Sequence, residues 1–142
     1  MTLSRLVRPS RSAARMIGRL VPQLSSSRKA ALSYAALRAI TRDRNVHLIV
    51  LKDGGNIVGT GTLVLMPTIL GIRARIEDVI VDAAYRRRGL GGRLVRCLIA
   101  IAKKKKARNI ELSSRAERIA AHKLYLKHGF KEKETNIYVL KL

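Results

Sequence analysis

The chain has 142 residues, enough for about one domain with a single modest core. Apolar residues make up 47% and charged residues 27%, the balance of an ordinary folded protein, so wholesale disorder is excluded. The charge is unusual: 30 Lys and Arg against 9 Asp and Glu give +21, which draws the molecule towards anionic ligands and partners. With Cys97 as the one cysteine, neither an intrachain disulfide nor a thiolate zinc cluster can form. No stretch reaches the roughly 18 to 20 apolar residues of a membrane helix. The stretch Asn56 to Ile72 carries no charge, is broken by glycines and Pro67, and reads as a hairpin.

The first 42 residues hold nine basic side chains and no acid, a composition shared with organellar transit peptides. The folded reading is preferred, because removing them would leave roughly 100 residues and discard two helices. In that reading Leu3 to Arg8 is a strand. Ser12 to Leu20 places Ala13, Met16, Ile17 and Leu20 at helical spacing, with Ser12 as a cap. Pro22 and Ser25-Ser26-Ser27 mark a break before a second helix, Ala30 to Ile40.

Val46 to Leu51 and Ile57 to Met66 read as strands joined by the turn Asp53-Gly54-Gly55-Asn56. A third strand, Ile72 to Val81, alternates Ile76, Asp78 and Ile80 against Glu77, Val79 and Val81. Arg86 to Gly92 is a basic glycine-rich loop, and Arg93 to Lys106 is a helix with Leu94, Val95, Leu98, Ile101 and Ala102 on one side. Ile110 to Ser113 then predicts a strand, Ala116 to Lys127 a helix stopped by His128-Gly129, and Ile137 to Leu142 a last strand. The pattern implies an α/β (α+β) domain over residues 1–142 with a mixed sheet.

Arg86-Arg87-Arg88-Gly89-Leu90-Gly91-Gly92 lies between a strand and a helix, where free N–H groups and the positive end of the helix dipole favour phosphate. Its spacing fits neither a P-loop nor a dinucleotide fingerprint. Arg86-x-x-Gly89-x-Gly91 does resemble the Arg/Gln-x-x-Gly-x-Gly/Ala motif of the GNAT acetyltransferases. Ile76 to Asp82 before it is similar to that family's central strand. Leu124-Tyr125-Leu126-Lys127-His128-Gly129-Phe130 resembles its Leu/Phe-Tyr-x-x-x-Gly-Phe motif.

This resemblance covers essentially the whole chain. It implies a GNAT fold whose mixed sheet is splayed at the cofactor-binding strand by a bulge. Acetyl-CoA would then pair through its pantetheine arm with the backbone of Val79, Ile80 and Val81. Its pyrophosphate would lie on amides from Arg87 through Gly92, and Arg86, with Arg87 or Arg88, would add side-chain contacts. Cofactor contacts are thus expected from Arg86, Arg87, Arg88, Gly89, Gly91 and Gly92, and from His122 to the pantetheine. A large residue at Gly91 would obstruct the cofactor.

The implied activity is N-acetyl transfer to a primary amine by direct attack in a ternary complex, without an enzyme nucleophile or a metal. The resemblance assigns Tyr125 as proton donor to the departing thiolate. Glu77 is the candidate base, with Asp78 as its alternative; strand alternation sends the two to opposite faces unless a bulge intervenes. Arg118 stands where many family members use asparagine against the cofactor.

The charge disfavours polyamine acceptors and favours an amine on an acidic protein or on RNA, as in aminoacyl-tRNA. A second reading keeps the fold as a nucleic-acid-binding module, using Lys103 to Lys106 and Arg108 for nonspecific, salt-sensitive contacts. Only 4% of residues are aromatic, which leaves little for base stacking. Cytoplasmic residence is expected, with an organelle as the alternative if the basic leading segment is a targeting signal. A homodimer is expected on the family resemblance and on the small size of the chain.

Overall fold

In a computed structural model describing residues 1–24 and 31–142, five strands form one sheet in the order β1-β2-β3-β4-β5. The strands are β1 (Thr2–Arg5), β2 (Val46–Asp53), β3 (Asn56–Thr68), β4 (Gly71–Val81) and β5 (Ile110–Glu111). The helices are α1 (Arg11–Leu20), α2 (Tyr34–Arg42), α3 (Leu90–Lys104) and α4 (Ile119–Lys127). The first four strands pair antiparallel with their neighbours and β5 pairs parallel to β4, giving the mixed α+β sheet expected from the sequence.

The sheet is covered on both faces, which is why β2 is apolar almost throughout. Leu48 and Val50 join Ala13, Ala14, Ile17, Leu20 and Leu37 beneath α1 and α2. Ile49 joins Leu63, Leu65, Ala74 and Ile76 against Leu94, Leu98 and Ala102 of α3. The alternation of the strand sends successive residues to opposite cores.

Several boundaries differ from the sequence reading for local reasons. Ser10, not Ser12, caps α1, because it lies in extended backbone and its hydroxyl accepts the N–H of Ala13 at 3.0 Å. Ser33 caps α2 in the same way through Ala36 N–H at 3.0 Å, so that helix begins at Tyr34. The Ser25–Ser27 break and Ala30 lie outside the described residues. α3 begins at Leu90, three residues early, because Gly89 turns into it at φ +71°.

The expected last strand does not form. Residues 137–142 pair with no strand and their apolar side chains are exposed, since an apolar extended segment becomes a strand only where a ladder partner lies alongside it.

His47, in β2, is buried and its Nε2 has no hydrogen-bond partner among the described residues. Burial, then the charges of Arg5 and Lys105, hold its pKa below the ordinary 6.5. The unfolded chain therefore takes up a proton at a pH where the folded chain does not, so this residue's contribution to stability falls as pH drops below 6.5. His47→Leu should flatten the dependence of melting temperature on pH over that interval. A variant with the wild-type slope would contradict the assignment.

Candidate active site

Two clefts meet at β4. The cause is the short pairing of β4 with β5, which consists of Ala74↔Ile110 and Arg75↔Glu111. Beyond Arg75 the strands part, and residues 76–81 of β4 present backbone groups to an open wedge. Glu111 closes the paired end through Arg73 at 2.7 Å and Lys133 at 3.5 Å. The hydrogen bond from Arg73 is the main cause holding its carboxyl below the ordinary carboxylate range.

Within the wedge β4 is bulged. Thr60 faces Ile80 and Thr62 faces Glu77, so Asp78 and Val79 together oppose Gly61. Asp78 takes φ +51°, a left-handed conformation that aspartate tolerates better than most residues. The Thr60 hydroxyl donates to the Asp78 carbonyl at 3.2 Å and fixes the bulge from the neighbouring strand. The extra residue breaks strict alternation, and both Glu77 and Asp78 line the same cleft.

That first cleft, about 730 Å³, is walled by α1, α2 and β4 and by the loop that follows β5. Tyr125 reaches it from α4, its ring edge-on to Phe130 with centroids 5.9 Å apart. Burial pushes the Tyr125 phenol above 10.0; Arg118 opposes the rise and Glu77 adds to it. The Arg75 side chain donates to Glu77 and, at 2.8 Å, to Ser113, linking the carboxylate to the loop after β5. Ser114 Oγ lies buried at the same wall and has no hydrogen-bond partner among the described residues. Arg115 and Arg118 bring positive charge to this side.

The second cleft, about 620 Å³, is lined by Val79, Ile80, Val81, Arg86, Arg87, Gly89, Gly91 and Gly92. The intrahelical ladder of α3 opens with Arg93 N–H to Gly89 C=O, so the N–H groups of Leu90, Gly91 and Gly92 precede it at the positive end of the helix dipole. Strand edge and helix terminus face one space, as an extended chain bearing a phosphate would require. Val79, Ile80 and Arg118 line both clefts.

The three arginines of the loop do different things. Arg86 donates through Nε to Val81 C=O at 3.1 Å and through its guanidinium to Gln23 at 3.3 Å, so it braces the loop. Arg87, at φ +60°, faces the cleft. Arg88 turns away, over the Tyr85 ring and onto Ala84 C=O at 3.3 Å. His122 also lies off the second cleft and pairs with Arg115 C=O at 2.9 Å. Gly91 and Gly92 carry a further constraint: a Cβ would stand 3.2 Å from Leu124 and 3.1 Å from His128, so these glycines also let α3 and α4 pack closely.

A protein-family model described as the acetyltransferase (GNAT) family matches residues 15–130. The chain belongs to the GNAT acetyltransferase family. A rice (Oryza sativa subsp. japonica) relative described as "Probable glucosamine 6-phosphate N-acetyltransferase 2" is 38% identical over 120 residues, covering 79% of this chain and 68% of that protein. The solved structure of glucosamine-6-phosphate N-acetyltransferase from Arabidopsis thaliana superposes with TM-score 0.79 at 20% identity, over 99% of both chains. A Bacillus halodurans C-125 structure described as a transcriptional regulator superposes with TM-score 0.84 at 26% identity, over 99% of both chains.

As a GNAT protein the chain is an N-acetyltransferase, of a family that generally uses acetyl-CoA. Among the described residues no group of three His, Cys, Asp or Glu is placed to hold a metal ion. Cys97 sits half-buried in the α3 core, and burial pushes its thiol up, as suits packing better than nucleophilic attack.

The sequence reading missed Gln23 and Arg75. Gln23 accepts Ala83 N–H at 2.9 Å and donates to Asp82 at 3.3 Å, besides accepting from Arg86. Its partners lie about sixty positions away, beyond the reach of any local pattern. Removing this brace should loosen the loop. Gln23→Ala is expected to lower unfolding free energy by about 1 kcal/mol and to weaken anion binding at the second cleft. Chemical denaturation and binding titration would test it, and no change in either would remove Gln23 from the loop's support.

Proposed function

We propose that this GNAT protein transfers the acetyl group of acetyl-CoA to a primary amine by direct attack while both substrates are bound. One observation carries the reading: the bulged stretch of β4 that runs past the end of β5 joins a phosphate-accepting helix terminus to a cleft lined by Tyr125, Glu77 and Asp78. When bound, acetyl-CoA supplies the thioester, whose carbonyl carbon forms the new C–N bond as its C–S bond breaks.

The residues present fit that cosubstrate. Val79, Ile80 and Val81 offer strand-edge backbone, and Gly89 to Gly92 offer N–H groups where a pyrophosphate would lie. Arg87 lines the same cleft. Arg86 contributes by holding the loop, and Arg88 and His122 stand further off in this conformation.

Glu77 takes the proton that the attacking amine sheds. Its pairing with Arg75 orients the carboxylate on the cleft wall, and Asp78 lies next to it as the alternative. Tyr125 gives a proton to the leaving sulfur. Its raised pKa keeps the phenol protonated throughout the neutral range, as a donor requires.

The acceptor is an amine that also carries an anion. Ser113, the Ser114 hydroxyl, Arg115 and Arg118 line the cleft together with Glu77 and Asp78, so it offers groups for both an amine and an anion. The acceptor named for the rice relative, glucosamine 6-phosphate, is of this kind. An amine linked to RNA or to an acidic protein is of the same class, and the charge of +21 favours all three. Nucleic-acid binding without catalysis is not favoured, since it has no use for the phenol and carboxylates gathered here.

Acetyl-CoA should raise the melting temperature well beyond ATP, in an increment that survives high salt. Loss of the increment in salt would reduce the second cleft to a basic surface. Tyr125→Phe should lower kcat about 100-fold, and in the wild type the midpoint of the rate loss from phenol ionisation should lie above pH 10.0. Full turnover by the variant would take Tyr125 out of the mechanism. Glu77→Gln should lower kcat about 100-fold; an unchanged kcat would transfer the role to Asp78.

A further inference from the structure

One wall of the first cleft has no part in moving protons or in holding an anion. Val21, Leu24 and Leu32, between α1 and α2, and Ala36 and Ile40, in α2, line it with aliphatic side chains. Leu24, Leu32 and Ile40 are only half-buried: they pack on the core beneath α1 and α2 and also line the cleft. Ser33 is the one polar side chain on this wall among the described residues, and its hydroxyl caps α2 by accepting Ala36 N–H at 3.0 Å. An apolar wall of this kind gains most from an apolar group of the ligand, because contact removes both surfaces from water. The hydroxyls of a sugar would lose water there and find few partners.

The other walls carry the opposite chemistry. β4 supplies Glu77 and Asp78, and the chain from the end of β5 to α4 supplies Ser113, Ser114, Arg115 and Arg118. Guanidinium groups match a planar carboxylate through paired hydrogen bonds.

We propose that the acceptor is a free α-amino acid with an apolar side chain: its amine goes to Glu77, its carboxylate to Arg115 and Arg118, and its side chain to the aliphatic wall. A single carbon atom carries all three groups, so one small molecule satisfies three walls of one cleft. This rests on the acetyl-transfer reading above and narrows its acceptor. The neutral amine nitrogen bonds the acetyl carbon as the C–S bond breaks. Glu77 takes the amine proton and Tyr125 protonates the sulfur, leaving an N-acetyl amino acid and free CoA.

Release of CoA by the full wild-type chain, followed with a thiol reagent, tests the proposal on acceptors that keep or drop one group at a time. Leucine has all three groups, glycine lacks the side chain, leucinamide lacks the carboxylate, and glucosamine 6-phosphate has amine and anion without an apolar body. Leucine should exceed glycine and leucinamide by about 30-fold each in kcat/KM, and should exceed glucosamine 6-phosphate as well. Leu32→Asn should bring leucine down towards glycine, and Arg115→Gln should bring it down towards leucinamide, both with the acetyl-CoA melting shift retained. Equal rates for leucine and glycine, or for leucine and leucinamide, overturn the proposal. So does a better rate with glucosamine 6-phosphate or with a peptide that begins in leucine, or a wild-type preference kept by both variants. A melting shift with acetyl-CoA but no transfer to leucine overturns this proposal alone, whereas absence of the shift overturns the acetyl-transfer reading as well.

Discussion

The site depends on a strand that stops pairing halfway along. β4 is held to β3 along its length but to β5 at two residue pairs, and the backbone beyond Arg75 must find other partners or face water. Unpaired backbone in the middle of a fold is costly unless a ligand or solvent reaches it. Here it forms the wall shared by both clefts. The bulge at Asp78 and Val79 adds a second departure from regularity, with a left-handed residue whose conformation costs about 1–3 kcal/mol. The long β3–β4 ladder and the Thr60 hydroxyl hold that conformation in place. Without the extra residue the strand would keep strict alternation through Glu77 and Asp78, and the backbone at Asp78 would not turn into the cleft wall.

Electrostatics divide the work between the clefts. The second cleft has a helix terminus, glycines that admit a ligand close to the backbone, and Arg87, all suited to a bound anion. The first has carboxylates and a protonated phenol facing cationic and hydroxyl groups, which is what proton transfer to and from an amine substrate needs. Arg118 borders both, and its charge opposes the rise that burial causes in the Tyr125 pKa. The overall +21 adds a long-range attraction for anions but does not select among them.

Much of this was legible in the sequence, for reasons that differ from residue to residue. The core faces of α1, α2 and α3 follow from helical spacing, and the β2–β3 hairpin follows from Gly54-Gly55 between apolar runs. The loop from Arg86 to Gly92 and the position of Tyr125 four residues before Gly129 carry short motifs. The same loop hid the difference among its arginines: Arg86, Arg87 and Arg88 are alike as sequence, but one braces, one faces the cleft and one stacks on Tyr85. Gln23 and Arg75 gave no signal because their roles come from partners in other elements. The segment 137–142 reads as a strand and is not paired as one, since composition records a tendency to pair and not the presence of a neighbour.

The sequence by itself determined the succession of elements up to α4, the apolar faces that build both cores, the anion-binding loop and the phenol. These depend on periodicity, capping and turn chemistry within a few residues, which a linear reading captures. Tertiary structure alone decided where β4 leaves β5, that Glu77 and Asp78 line one cleft, and that Gln23 and Arg75 support the site. It also decided that the last apolar segment lies outside the chain's own sheet. Each of these is set by ladder register or by hydrogen bonds between distant positions, and such contacts exist only once the strands have paired and the helices have packed on them.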